Sequence, residues 1–251
     1  MRISFLLSAL LICGQAKAGL LDLQYLHDIR TNGYLLCASS MLYFNPTEKT
    51  QDPRALTGSF GSLTQLDTRV VQLGQPEQLA EIEQLMRDEF KALDTTARGD
   101  SQAYPARILT LLQLQSRLDA WGREQYQKAQ QDAPVMVTTL HQQSLEMAQL
   151  LLDYQVRQYP LPAGAPVVLT SVQREQLDQA IGARFDLLLS QYPAQASELN
   201  RVRSSYRFVR AQLLGDEKFR AKGGADFYIA RNISDLDEMA MQAVLNPTAS
   251  R

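Results

Sequence analysis

Apolar side chains recur every three or four residues along most of the chain after residue 19, and this spacing draws a stripe down one face of an α-helix. Proline and glycine interrupt the pattern at intervals, whereas the alternation typical of a β-strand is nearly absent. An amphipathic helix has to bury its stripe against a neighbour. The sequence therefore predicts an all-α protein, a mostly antiparallel bundle of about six to eight helices joined by short connections.

The stripes and their breaks predict where each helix lies. Proline and glycine mark most of the boundaries, because proline cannot donate an interior helical hydrogen bond. The helix over 76–97 carries a dense acidic face, which is typical of a surface in contact with solvent. The expected helices are 20–44 with an interruption at Gly33, 59–73 after the loop 45–53, 76–97, 105–131, one between Pro134 and Tyr159, 171–192, one after Pro193, and a last one capped by Ser234.

The segment 159–168 contains three prolines and a glycine and cannot be helical. It is the best candidate for a linker or a long crossover. Residues 19–251 are thus expected to form either one helical bundle or two helical subdomains joined near 159–170.

The first 18 residues have the features of a secretory leader. Arg2 gives a minimal positive start, an apolar run follows over 3–13, and Ala16 and Ala18 supply the small residues that signal peptidase accepts. The run is shorter than the roughly 20 residues that span a bilayer. We expect cleavage after Ala18 and a periplasmic mature chain. Two alternatives stay open: lipid attachment at Cys13, although Ile12 before it is not small, and an uncleaved anchor.

The balance of charges argues against polyanionic partners. The chain carries 25 basic and 27 acidic side chains, a formal net charge of −2, and loss of Arg2 and Lys17 with the leader makes it more negative. No later stretch approaches transmembrane length. Neither nucleic acid nor an anionic membrane surface is therefore expected as the main partner, and the mature chain is not expected to be integral to a membrane.

Cys37 is the single thiol after the leader, so it cannot close a disulfide within the mature chain. Burial on the apolar face of a helix is one interpretation. An intermolecular disulfide is the other.

No catalytic or metal-binding motif emerges from the sequence. His27 and His141 are far apart along the chain and lack a second histidine three or four residues away, so no zinc site is predicted, and His141 is expected at a helix surface or boundary. The segment 57–61 does not have the spacing of a nucleophile elbow, and Lys222-Gly223-Gly224 is expected to be a hinge. No cofactor is predicted, and enzymatic activity ranks third among the functional hypotheses.

The strongest candidate for a binding site is a cluster of arginines in the basic stretch 201–222. Arg203, Arg207 and Arg210 recur at i, i+4 and i+7 and share one face of the predicted helix, whereas Val202 and Val209 belong to its apolar face. Three guanidinium groups on one face can bind an anion or the carboxylates of a partner. The alternative is a solvated face that pairs with acidic residues of neighbouring helices.

The segment 207–245, with Phe227, Tyr228 and Arg231 near the start of the last helix, resembles the closing part of periplasmic helical sensor bundles of the type IV pilus chemotaxis-transducer (PilJ-like) kind. The resemblance implies a helical fold and a ligand-sensing role. In the early segment 30–42 only Arg30 has a setting comparable with that family's motif, so its ligand-binding residues do not transfer to this chain.

Together these features predict an exported, non-enzymatic binding protein. It would bind a small ligand or an envelope protein in a groove between helices, and act through a membrane-bound receptor because a chain outside the membrane needs a partner to signal across it. The alternative class is an envelope structural or assembly factor, or an immunity-type inhibitor, that acts by protein–protein binding.

Overall fold

The computed structural model describes residues 3–163, 165, 168–215 and 224–246, with side chains from residue 19 onward except at 98 and 99. Within these residues the chain forms eight α-helices and no β-strand, so the predicted all-α class is confirmed. Short 3-10 segments, Arg98–Ala103 and Pro193–Gln195, precede the fourth and seventh helices. The helices are α1 (Ile3–Tyr43), α2 (Pro53–Gln72), α3 (Glu77–Thr95), α4 (Tyr104–Ala129), α5 (Val135–Gln158), α6 (Ser171–Gln191), α7 (Ala196–Leu214) and α8 (Ala225–Leu245).

Two helices lie at the centre of the packing. α1 contacts α2, α4, α5 and α8, and α5 also contacts α6, α7 and α8. Buried apolar side chains from all eight helices form a single cluster. A division into two subdomains near 159–170 stays a prediction.

The predicted stripes are the buried faces of the helices, which is the expected outcome when each helix hides its apolar side against a neighbour. On α3 and α7, every predicted stripe residue is buried, whereas Trp121 on α4, Leu177 on α6 and Tyr192, directly after α6, are half-buried. The buried stripe residues are Leu79, Ile82, Met86, Phe90 and Leu93 on α3, and Leu199, Val202, Tyr206, Val209 and Leu213 on α7.

The predicted interruption of the first helix at Gly33 is wrong, because α1 continues through it to Tyr43. Gly33 is instead a point of close helix packing. A Cβ atom built on it would lie 2.6 Å from Cδ2 of Leu118 on α4. The missing side chain lets α4 approach α1 here.

Two helix starts were also predicted too late. α2 begins at Pro53 rather than 59, because the Asp52 carboxylate accepts a hydrogen bond of 2.9 Å from the Arg54 N–H and proline is well suited to the first turn. α8 begins at Ala225, so Ser234 is an interior residue and not a cap. Gly224, with φ of 140°, precedes it in a conformation that favours glycine. The rest of the predicted hinge, Lys222-Gly223, lies outside the described residues.

An ion pair fixes α6 on α5, and hydrogen bonds to backbone carbonyl oxygens fix α7 on it. The Arg184 guanidinium of α6 donates to both carboxylate oxygens of Glu146 on α5, at 2.7 and 2.9 Å. Arg157 of α5 donates to the carbonyl oxygens of Leu213 and Gly215 at the end of α7. These contacts set the relative positions of the two helices.

A carboxylate on α5 also anchors the segment before α6. Asp153, whose side chain is 2% exposed, accepts hydrogen bonds from Arg157, Arg174 and the backbone N–H of Leu169. At the start of this segment, Tyr159 is buried and its hydroxyl donates to the Phe44 carbonyl oxygen at 2.8 Å. The predicted linker is thus attached to the bundle at both ends.

Cys37 is 1% exposed, with its Sγ atom 3.7 Å from the Leu111 carbonyl oxygen. Burial raises the pKa of the thiol, which keeps it protonated and poorly reactive. The buried interpretation therefore agrees with the structure, and an intermolecular disulfide would require α1 and α4 to separate. In the described part of the chain, no helix combines the length and apolar character needed to cross a membrane.

Replacing Gly122 by alanine is expected to destabilise the protein. A Cβ atom there would lie 2.7 Å from Cγ of Arg30, a side chain whose far end is held by Asp119 and cannot move freely. We expect a loss of about 1–3 kcal/mol in the free energy of unfolding, measured by urea denaturation.

The matched control is Gly61→Ala on α2, where nothing lies within 4 Å of the added Cβ. There the better helix propensity of alanine should raise stability by about 0.5–1 kcal/mol. If both substitutions change the free energy of unfolding by the same amount, close packing against Arg30 does not prevent a side chain at Gly122.

Candidate functional site

A cleft of about 510 Å³ opens between α6 and α7, and we call it the α6–α7 cleft. This volume lies within the range of small-molecule sites, about 300–1,000 Å³. All three arginines singled out from the sequence line it. The lining consists of Asp178, Gln179, Gly182, Phe185 and Asp186 from α6, and of Arg203, Tyr206, Arg207 and Arg210 from α7.

Arg210 is held at one end of the cleft by a buried carboxylate. Its Nε and Nη2 atoms donate to the two oxygens of Asp178 at 2.7 and 2.5 Å, and the Tyr206 hydroxyl donates to the same carboxylate at 2.8 Å. Hydrogen bonding to Asp178 raises the pKa of Arg210, and burial followed by the bond to Asp178 raises that of Tyr206. Both groups therefore keep their protons, and the guanidinium stays charged and oriented.

Arg203 is paired as well, through Nη2 to Asp186 Oδ1 at 2.5 Å. Arg207 is exposed, and within the part of the chain that the structure describes it makes no ion pair. The alternative interpretation of the basic face, pairing with acidic neighbours, thus holds for two of the three arginines. Arg207 keeps an available positive charge, while its neighbours are oriented by α6.

A second polar cluster lies in the core and was not predicted. His27 of α1 and His141 of α5 are each 1% exposed, and their rings stack with centroids 4.1 Å apart and planes 7° apart. The expectation that His141 lies at a helix surface or boundary is wrong. The polar ring can be buried because its two nitrogen atoms find hydrogen-bond partners inside the core.

The hydrogen bonds around His141 define its protonation state. The Gln24 amide nitrogen donates to Asp28 at 2.7 Å, which turns the Gln24 oxygen toward His141 Nε2 at 2.8 Å. The Nε2 atom must then carry the hydrogen, and the Tyr126 hydroxyl donates to Nδ1 at 2.9 Å. Burial, followed by the charge of His27, lowers the pKa of His141, so the ring is neutral at pH 7.

His27, Ser144 and Asp237 are the residue types of a hydrolytic triad, but their geometry differs from one. Ser144 Oγ and Asp237 Oδ1 both contact the same ring nitrogen, Nε2, at 2.8 and 2.9 Å. A triad places the carboxylate on the opposite nitrogen and leaves the hydroxyl accessible to substrate. Ser144 is fully buried, and its hydroxyl donates to the His141 carbonyl oxygen at 3.2 Å. The cluster is arranged to hold α1, α5 and α8 together.

Asp28 connects this core to the surface. Its second oxygen accepts from Arg69 Nε of α2 at 2.7 Å, and that guanidinium lies 5.0 Å from the ring centroid of Tyr25. Burial, then the nearby Asp237 carboxylate, raise the pKa of Asp28 to about 6, while His27 and Arg69 oppose the shift. The negative charge of Asp28 is therefore less stable in the folded chain than in water.

The pKa of Asp28 predicts a specific pH dependence of stability. Between pH 4 and 6 the folded chain binds a proton that the unfolded chain has released, so stability falls as the pH rises through this window. We expect the stability of the wild type, relative to Asp28→Asn, to decrease by about 2–3 kcal/mol between pH 4 and 7, measured by urea denaturation. The control Asp132→Asn removes an exposed carboxylate, so the stability of the wild type relative to this variant should not change with pH in the same range. Parallel curves for wild type and Asp28→Asn would contradict the assignment.

Within the described residues, no three His, Cys, Asp or Glu side chains converge in an arrangement that could hold a metal ion. Comparison of the chain with family models, with curated proteins and with solved structures finds no match. The resemblance of 207–245 to helical sensor bundles therefore stays a prediction, and part of that segment, 216–223, lies outside the described residues.

Proposed function

We propose that the mature chain is a non-enzymatic binding protein that recognises a carboxylate group in the α6–α7 cleft. Arg207 carries this proposal, because its guanidinium lines the cleft with no acidic partner in the described part of the chain. Guanidinium and carboxylate groups fit each other through two parallel hydrogen bonds.

The surroundings of Arg207 favour recognition of an anion. Asp178 and Asp186 hold Arg210 and Arg203 on either side of Arg207, so these two side chains would lose little freedom when a ligand binds. The three arginines exceed these two aspartates by one positive charge. The cleft can therefore accept a single carboxylate without a further counter-ion.

The carboxylate would belong to a small ligand or to an envelope protein. If the leader is removed as predicted, the chain would act in the periplasm and would need a membrane-bound receptor to transmit a signal. The sensor-bundle resemblance implies a helical fold and a ligand-sensing role, and the all-α structure agrees with the first of these. The buried position of Ser144 and its shared contact with His27 Nε2 support a role without catalysis.

The alternative is an envelope assembly factor or an immunity-type inhibitor that acts by protein–protein binding. One observation favours it. Phe208, next to Arg207 on α7, is 72% exposed, and exposed aromatic residues beside arginine are typical of protein interfaces.

Binding of fluorescein-labelled hexaglutamate, followed by fluorescence anisotropy at low ionic strength, tests the proposal. Arg207→Glu removes a charge-assisted hydrogen bond and adds repulsion, so we expect at least a roughly tenfold weaker affinity. The control Arg123→Glu makes the same change at an exposed position on α4, outside the lining of the cleft, and should retain wild-type affinity. Equal affinities of wild type and Arg207→Glu would overturn the proposal.

A further inference from the structure

Three aromatic side chains form a contiguous surface at the edge of α7 and α8, which we call the aromatic corner. The Phe208 ring of α7 lies 5.2 Å from the Tyr228 ring of α8, and Phe227 lies 5.4 Å from Tyr228, both in edge-to-face geometry. Phe208 is 72% and Phe227 is 48% exposed. Much of the apolar surface of these rings remains in contact with water, and burying that surface against a partner would be favourable.

The aromatic corner adjoins the α6–α7 cleft across a single helix. Arg207 and Phe208 are consecutive residues, so the guanidinium lies on the α6 side of α7 and the phenyl ring on the α8 side. Both side chains are exposed. One turn of α7 thus presents a positive charge toward α6 and an apolar ring toward α8.

We propose that the α6–α7 cleft and the aromatic corner together bind an acidic segment of another protein, one that also carries an aromatic or large aliphatic side chain. The inference rests on the proposed function, because Arg207 receives the carboxylate in both. The aromatic corner would receive the apolar side chain of the same segment.

Charge complementarity identifies this partner as acidic. α7 carries four arginines and only one acidic residue, Glu198. Three of these arginines pair within the chain: Arg201 with Asp235, Arg203 with Asp186, and Arg210 with Asp178. The fourth, Arg207, precedes Phe208 in the chain, so the available charge and the exposed apolar surface lie on one turn of α7, on different sides of the helix.

The dimensions favour a protein segment over a free anion. A helix with its side chains is about 10–12 Å across, so a small carboxylate in the cleft cannot also reach the far side of α7. An extended peptide covers roughly 3.3 Å per residue, and three or four residues span that width. An anionic membrane surface fits less well, because such surfaces are bound by clusters of several Lys and Arg side chains, and three of the four arginines of α7 pair within the chain.

The experiment compares two fluorescein-labelled peptides on the purified mature chain. One has two glutamates and, three residues away, a phenylalanine; the other has serine in place of the phenylalanine. We expect the phenylalanine peptide to bind about tenfold more tightly, as expected for partial burial of a phenyl ring. Phe208→Ala should abolish this preference, whereas Val172→Ala, which truncates a side chain that is 61% exposed on α6, should preserve it.

Each outcome separates this inference from the proposed function. If both peptides bind equally and Arg207→Glu weakens both, carboxylate recognition stands and the role of the aromatic corner is wrong. If neither peptide depends on Arg207, the proposed function fails as well. Binding to anionic lipid vesicles that depends on Phe208, without a peptide preference, would indicate a membrane surface and overturn the inference. A dimer seen by sedimentation and lost in Phe208→Ala would indicate a second copy of this chain and overturn it too.

Discussion

Substitution of Asp119 by alanine is expected to lower the free energy of unfolding by about 3–5 kcal/mol, a large part of the stability of an ordinary domain. The Asp119 carboxylate of α4 accepts a hydrogen bond of 2.8 Å from Arg30 Nε of α1, and the two side chains are 10% and 8% exposed. Removing the carboxylate leaves a buried guanidinium without its counter-ion. Urea denaturation at pH 7 measures the loss.

Two controls show whether the uncompensated charge causes this effect. The double substitution Arg30→Met with Asp119→Leu replaces the pair by apolar groups and should recover most of the lost stability. Glu124→Ala breaks the ion pair with Lys128 on the surface of the same helix, where the two side chains are 64% and 63% exposed. That change should cost less than about 1 kcal/mol. A loss at Asp119 no larger than at Glu124 would contradict the buried-charge explanation.

Replacing His141 by leucine is expected to cost about 2–5 kcal/mol. The leucine fills much of the ring volume but leaves two buried polar groups, the Tyr126 hydroxyl and the Gln24 amide oxygen, without their hydrogen-bond partner. Urea denaturation of the single variant measures the total effect.

A double-mutant cycle isolates the hydrogen bond between Tyr126 and His141. Adding Tyr126→Phe to His141→Leu removes one of the unsatisfied groups, so the double variant should be more stable than the sum of the two single losses predicts. If the stability losses of the two single variants simply add in the double variant, the Tyr126 hydroxyl has another hydrogen-bond partner in His141→Leu.

The helices could be predicted because their signal is local. On α3, for example, apolar residues recur every three or four positions, and these side chains are buried as that spacing predicts. The error at Gly33 arose where a tertiary contact decides the outcome. This glycine does not interrupt α1, because it is the site where Leu118 packs closely against that helix.

The polar core could not be predicted, because its partners lie far apart along the chain. His27 and Ser144 are 117 positions apart, and only the packing of α1 on α5 brings them together. One local signal was present. Gln24, His27, Asp28 and Thr31 follow the helical spacing on α1, and all four are buried in the folded chain. Polar residues that recur at this spacing on a largely apolar helix indicate a buried hydrogen-bonded network.

For the α6–α7 cleft, the sequence predicted the arginines and not their partners. Spacing alone places Arg203, Arg207 and Arg210 on one face of a helix. It does not reveal that Asp178 and Asp186 of another helix pair with two of them. The structure therefore narrows the binding hypothesis to Arg207.

The most direct test of carboxylate recognition is an amide NMR titration of the purified protein with hexaglutamate, performed on the wild type and on Arg207→Glu. In the wild type, we predict that the shifted resonances cluster in α6 and α7 around the lining of the cleft, and that these shifts disappear in the variant. Shifts centred on another part of the bundle, or a pattern unchanged by Arg207→Glu, would contradict the proposed function.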